Sequence, residues 1–92
     1  MTTGTTASGT FYFLNKKSNS NPIIFIHGVG LTHEMWQPQL DFFENYSTLS
    51  YDILGHGKSP LTKKNISFDD FSEQLIELTD ELKIKKFQLI GF

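Results

Sequence analysis

Residues 23–30 read Ile23-Ile24-Phe25-Ile26-His27-Gly28-Val29-Gly30. Four consecutive apolar residues, three of them β-branched, suit a strand buried on both faces, as a parallel sheet requires. Pro22 introduces the run and His27-Gly28-Val29-Gly30 stops it abruptly. In α/β sheets ligands bind beyond the carboxyl ends of the strands, so this tetrapeptide falls where chemistry is done. Its two glycines allow a sharp turn and leave backbone N–H groups uncovered by side chains. Donors fixed in that way hold the negative oxygen of a tetrahedral intermediate. A plain β-to-α turn uses the same residues, and four residues alone do not choose between the two.

Upstream, the residues after Met1 up to Thr10 are Thr, Ser and Gly around Ala7, a composition that predicts a flexible N-terminus over 1–10. Residues 11–14, Phe-Tyr-Phe-Leu, predict a short edge strand, closed by the polar run 15–21. Downstream, Trp36, Leu40 and Phe43 recur at i, i+4, i+7 and predict one face of a helix. Pro38 fits its first turn, where a missing N–H costs nothing. Residues 48–53 predict a second core strand with Leu49, Tyr51 and Ile53 on one face and Asp52 at its end. Ser67 and Asp70 have capping-box spacing, and Phe68, Phe71, Leu75, Leu78 and Leu82 follow at helical intervals. Residues 87–92 predict a third strand. Strands alternating with helices define an α/β parallel sheet: three parallel core strands, two crossover helices, and the short N-terminal edge strand.

The composition excludes several classes of function. Eight basic and ten acidic residues leave a formal net charge of −2, which gives no footprint for a nucleic-acid backbone or an anionic membrane. With no cysteine, disulfides, thiolate zinc sites and cysteine nucleophiles are impossible. No apolar run reaches the ~20 residues of a membrane span, and the first residues lack a basic n-region. These features predict a soluble, cytoplasmic chain without a nucleic-acid or membrane partner. His27, His33 and His56 match no standard ligand spacing, so neither a metal nor a cofactor is expected.

The second constellation is Tyr51-Asp52-Ile53-Leu54-Gly55-His56-Gly57-Lys58-Ser59-Pro60. An Asp at a strand end can accept N–H bonds from the tight loop that follows, so Asp52 and Ser59 read as loop braces. None of Ser47, Ser50, Ser59, Ser67 or Ser72 is flanked as Gly-x-Ser-x-Gly, and Ser67 is a helix cap. No base and orienting acid accompany any of them.

Together the two glycine-rich segments resemble the α/β-hydrolase fold superfamily, in which an HGxG-type turn precedes a Tyr-Asp-x-x-Gly-x-Gly-x-Ser segment. Leu89-Ile90-Gly91-Phe92 is similar to the approach to the family's nucleophile elbow, Gly-x-Ser-x-Gly. Leu54 stands where a common variant of the family has Arg. The resemblance implies that residues 11–92 are the N-terminal part of such a domain, ending just before the nucleophile. It implies an oxyanion-hole donor in the Val29 N–H and a structural, non-catalytic His27. It gives loop-forming roles to Gly28, Gly30, Asp52, Gly55, Gly57 and Ser59, and places Trp36 and His56 at the pocket wall. The implied activity is serine-dependent hydrolysis of a carboxylic ester, enol-lactone or related carbonyl. The nucleophile, the acid and the catalytic His lie outside the chain, which is expected to be inactive alone. Members with an Asp nucleophile keep the same scaffold. The alternative is a small stand-alone α/β binding module without catalytic activity.

Overall fold

The apolar run forms strand β3, Ile23–Ile26, near the middle of a five-stranded sheet. The computed structural model describes residues 2–17, 20–61 and 64–92. Strand β1 is Thr2–Thr5, β2 is Phe11–Asn15, β4 is Thr48–Tyr51 and β5 is Gln88–Gly91; helix α1 is Gln37–Phe42 and α2 is Phe68–Glu81. The sheet order is β1-β2-β4-β3-β5. Strand β3 runs parallel to β4 on one side and to β5 on the other. The three parallel core strands and two crossover helices stand as the sequence pattern predicts.

Continuous apolarity in β3 follows from its two-sided burial. Ile23 and Phe25 face α1 and pack with Trp36 and Leu40, while Ile24 faces α2 and packs with Leu49, Tyr51, Ile53 and Leu78. The helices therefore cover opposite faces of the sheet. The 3-10 turn His33–Trp36 leads into α1, with Pro38 in the first turn of the helix. At the start of α2 the Asp70 carboxylate accepts the Ser67 N–H at 2.8 Å and the Ser67 hydroxyl at 3.2 Å. Leu78 is fully buried at the centre of the stripe, with Phe71, Leu75 and Leu82 packed around it. Phe68, in the first turn of the helix, departs from the pattern: it is 89% exposed.

Two expectations for the N-terminal segment need correction. Residues 2–5 are not frayed but form β1, paired antiparallel with β2 from Thr2↔Leu14 to Thr5↔Phe11. Strand β2 is consequently not an edge; it lies between β1 and β4 and is antiparallel to both. An outer antiparallel strand needs only backbone partners, and a Thr-rich segment supplies them without an apolar signal. The link 6–10 is held by its own bonds. Thr6 N–H donates to the Thr10 carbonyl at 2.9 Å, Thr10 N–H to Thr6 Oγ1 at 3.0 Å, and Ala7 N–H to the Glu81 carboxylate at 2.9 Å. The polar run 15–21 lies partly outside the described residues, at 18 and 19, as does residue 1.

Strands β4 and β5 lie on opposite sides of β3, so the chain reverses its direction of travel across the sheet there. Such a reversal opens a crevice beyond the strand ends. Leu78→Ala should cost about 2–5 kcal/mol, the range for truncating a fully buried leucine. Phe68→Ala should stay within about 0.5 kcal/mol. Urea denaturation midpoints of the two variants check the assignment of the α2 stripe.

Candidate functional site

Both glycine-rich turns meet at the carboxyl end of β3 and β4. After β3 the backbone turns through Gly28–Leu31, closed by the Leu31 N–H donating to the Gly28 carbonyl at 3.1 Å. Gly30 has φ +90° at the third position, which a type II turn reserves for glycine. The Val29 side chain is 81% exposed, and its N–H has no acceptor among the described residues.

His27 joins this turn to the second one. Its Nδ1 lies 2.8 Å from the Gly28 carbonyl and so carries the hydrogen; Nε2 then accepts the Ile53 N–H at 3.1 Å. Burial lowers its pKa below 6.5, outweighing the opposing effects of the Gly28 bond and the Asp52 charge. The ring is neutral and the Asp52 carboxylate 3.8 Å away is not its salt-bridge partner, since Nε2 is already an acceptor.

Asp52, wholly buried, is the anchor of the second turn. Its Oδ1 accepts the His33 backbone N–H at 2.7 Å and His33 Nδ1 at 2.9 Å, and its Oδ2 accepts the Lys58 N–H at 2.9 Å. Burial alone would raise the carboxyl pKa, but these bonds from Lys58 and His33 outweigh it and hold the group below 3.8. Gly57, at φ +51°, passes so close that a Cβ would collide with the Asp52 carboxylate. Gly55 sits in the same turn and Leu61 packs over it. Ser59 is buried, and its hydroxyl accepts the Phe11 N–H at 2.9 Å, tying the loop to β2.

His27, Gly28, Val29, Gly30, Asp52, Gly55, His56, Gly57 and Ser59 thus gather at one rim, with His27 and His56 ring centroids 5.4 Å apart. Trp36 does not. It packs against Phe25 at 5.0 Å on the α1 face and is no wall of the cleft, because a ring at that helical position points into the core. His56 does not line the cleft either; its ring is spent on the two turns. The cleft itself, about 360 Å³, lies beside the rim and is mainly apolar, with Ile26, Val29, Tyr51, Phe68, Leu89 and Phe92 in its walls. Burial pushes the Tyr51 phenol above its ordinary value, so it keeps its proton. The chain after β5 returns to the same place: Phe92 N–H donates to the Ile26 carbonyl at 3.2 Å, and its ring would lie 3.1 Å from a Cβ on Gly28.

Two residues of the rim escape a reading by motif. His33 supplies two of the three bonds to Asp52. Gln74, buried on α2, accepts the Leu54 N–H at 3.1 Å and donates to the Asp52 carbonyl at 3.1 Å and to Thr10 Oγ1 at 3.0 Å. Gln74 had a signal: a polar residue between Phe71 and Leu78 interrupts the apolar stripe where burial is expected. Among the described residues no cluster of His, Asp and Glu is arranged to hold a metal ion, and no helix is long and apolar enough to cross a membrane.

The family model described as alpha/beta hydrolase fold matches residues 21–92. The chain belongs to that family. It is 32% identical over 77 residues to (E)-2-((N-methylformamido)methylene)succinate hydrolase of Acinetobacter baylyi, covering 83% of this chain and 29% of that protein. Against 3-oxoadipate enol-lactonase 1 of the same organism it is 32% identical over 79 residues, covering 85% and 29%. The crystal structure of the enol-lactonase from Burkholderia xenovorans LB400 superposes with a TM-score of 0.85 at 26% identity, covering 90% of this chain and 33% of that one. The chain therefore spans under a third of the length of the curated relatives named here.

Gly57→Ala should destabilise the protein by more than about 1 kcal/mol, because it adds both a Cβ clash and a strained dihedral. The histidine and carboxylate give a pH dependence of definite sign. The folded pKa of His27 lies below 6.5, so its contribution to stability is complete above pH 6.5 and is lost as pH falls through the folded value. Asp52 contributes fully above pH 3.8 and loses its share below that. Thermal unfolding followed against pH should decline in these two stages, and His27→Gln should abolish the upper one.

Proposed function

We propose that this chain forms the oxyanion-side rim and the sheet floor of a hydrolase that cleaves a carboxylic ester or enol-lactone through a serine nucleophile. The observation that carries the reading is the convergence at one rim of the Val29 turn, the Asp52 loop and the chain after β5. Phe92 lies against Gly28, and Val29, whose N–H has no acceptor among the described residues, lines an apolar cleft. Similarity to an enol-lactonase and to a second hydrolase supports the substrate class.

In this reading the serine follows Phe92 on the elbow, and its acid and base come later in the order Ser, Asp/Glu, His. The serine Oγ attacks the carbonyl carbon and passes its proton to the histidine. The carbonyl oxygen becomes an anion and takes the Val29 N–H. Collapse of the intermediate expels the alcohol or enol, which takes that proton from the histidine. Water activated by the same histidine then hydrolyses the acyl-enzyme. A single donor to the oxyanion is worth about 2.7–4 kcal/mol in the transition state. Reaction with a small soluble substrate in the cytoplasm accords with the absence of cysteine and the near-neutral charge.

The test uses the product of the complete reading frame. A fluorophosphonate probe should label a single serine in the peptide that contains Leu89 to Phe92; no label, or label elsewhere, refutes the serine mechanism. Val29→Pro isolates the donor. Proline is favoured at the second position of a type II turn, so the variant should fold with unchanged or slightly raised Tm. Having lost the N–H, it should lose on the order of 10²–10³-fold in kcat on a p-nitrophenyl ester. Full activity in that variant would refute the role given to Val29.

A further inference from the structure

Among the described residues, one side chain bonds the outer half of the Val29 turn. Gly28 is secured from within, its carbonyl accepting both His27 Nδ1–H and the Leu31 N–H. Val29 packs on little, being 81% exposed, and nothing lies within 4 Å of the place where a Gly30 Cβ would stand. What reaches the turn from outside is His56, whose Nε2 accepts the Gly30 N–H at 2.9 Å.

The proton state of His56 follows from its partners. Nδ1 lies 2.9 Å from the Leu54 carbonyl, which can only accept, so Nδ1 carries the hydrogen and Nε2 presents its lone pair to Gly30. The ring is further fixed by the His56 N–H, which donates to the Ile53 carbonyl at 3.0 Å, and by the neighbouring ring of His27. The imidazole is thus held by its own loop and spends its one acceptor on the other.

We propose that His56 is a positioning residue for the proposed reaction: by accepting the Gly30 N–H it fixes the turn that presents the Val29 N–H to the cleft. This rests on the reading of Val29 as the oxyanion donor. His56 touches no reacting atom. It acts by setting where Val29 stands, and displacements of about 1 Å in a catalytic group cost on the order of 10²-fold in rate.

Two variants of the complete reading-frame product separate the acceptor from the ring. His56→Phe keeps a planar ring and removes the acceptor, whereas His56→Gln loses the ring and restores an amide oxygen. Far-UV circular dichroism confirms that both fold. Amide hydrogen exchange at Gly30 should be slow in the parent and in His56→Gln, and at least tenfold faster in His56→Phe. With a p-nitrophenyl ester, kcat should fall on the order of 10–100-fold in His56→Phe at nearly constant KM and recover in His56→Gln. Equal Gly30 exchange in the parent and His56→Phe would overturn the clamp. Faster exchange with unchanged kcat would overturn the positioning role. Failure of the fluorophosphonate or Val29→Pro tests alone would leave the Gly30 exchange result in place, so the two readings fail separately.

Discussion

One buried carboxylate organises the functional end of this molecule. Asp52 directly follows β4, and its two oxygens draw in the start of the 3-10 turn through His33 and the far side of the glycine loop through Lys58. An unpaired carboxylate inside a protein is prohibitively costly, so each N–H that it accepts is obligatory rather than optional. That requirement dictates the sequence around it. Gly57 must lack a side chain because the carboxylate occupies that space. The loop must also curl back within six residues, so that Lys58 N–H can reach Oδ2.

From Asp52 the constraint passes outward through neutral imidazoles. His27 donates to Gly28 and accepts from Ile53; His56 donates to Leu54 and accepts from Gly30. Each ring therefore works as a two-ended connector between the turn after β3 and the loop after β4. A protonated ring would lose its acceptor, and burial discourages that state at His27. The helix behind the sheet completes the brace, since Gln74 bonds both sides of the strand end at Asp52 and Leu54.

Much of this was legible in the sequence, for reasons that can be stated residue by residue. The continuous run Ile23 to Ile26 encodes a strand covered on both faces, and the structure covers it with Trp36 and Leu40 on one side and Leu78 on the other. The spacing of Asp52, Gly55, Gly57 and Ser59 is local, so a motif records it. What escaped notice was either uninformative in composition or non-local. Strand β1 is a polar Thr-rich segment that pairs with the backbone of β2. The helical spacing of Trp36 with Leu40 and Phe43 already put its ring on the face that packs in the core, against its place at the pocket wall; the placing of His56 between the loops depends on which way its ring points, and periodicity does not fix that for a loop residue. His33 reaches Asp52 across 19 residues, a contact that no local pattern predicts.

The charge distribution of the rim bears on its chemistry. Asp52 is the one buried carboxylate at the rim among the described residues, and backbone and imidazole N–H groups satisfy it rather than a lysine or arginine. The flanking His27 is neutral, and among the described residues no lysine or arginine is buried. The backbone dipole of the Val29 turn lies in the neighbouring cleft beside His27, Tyr51 and Ser72, with Ile26, Phe68, Leu89 and Phe92 among the apolar walls. A fixed dipole in apolar surroundings favours an oxygen on which charge is only developing, because it need not reorient when the charge appears. A resident cation would instead bind carboxylate products strongly and hold them in the site. On the proposed reading, which makes a carboxylic acid at every turnover, a rim with its charge buried and its dipoles outward suits release of product as well as stabilisation of the transition state.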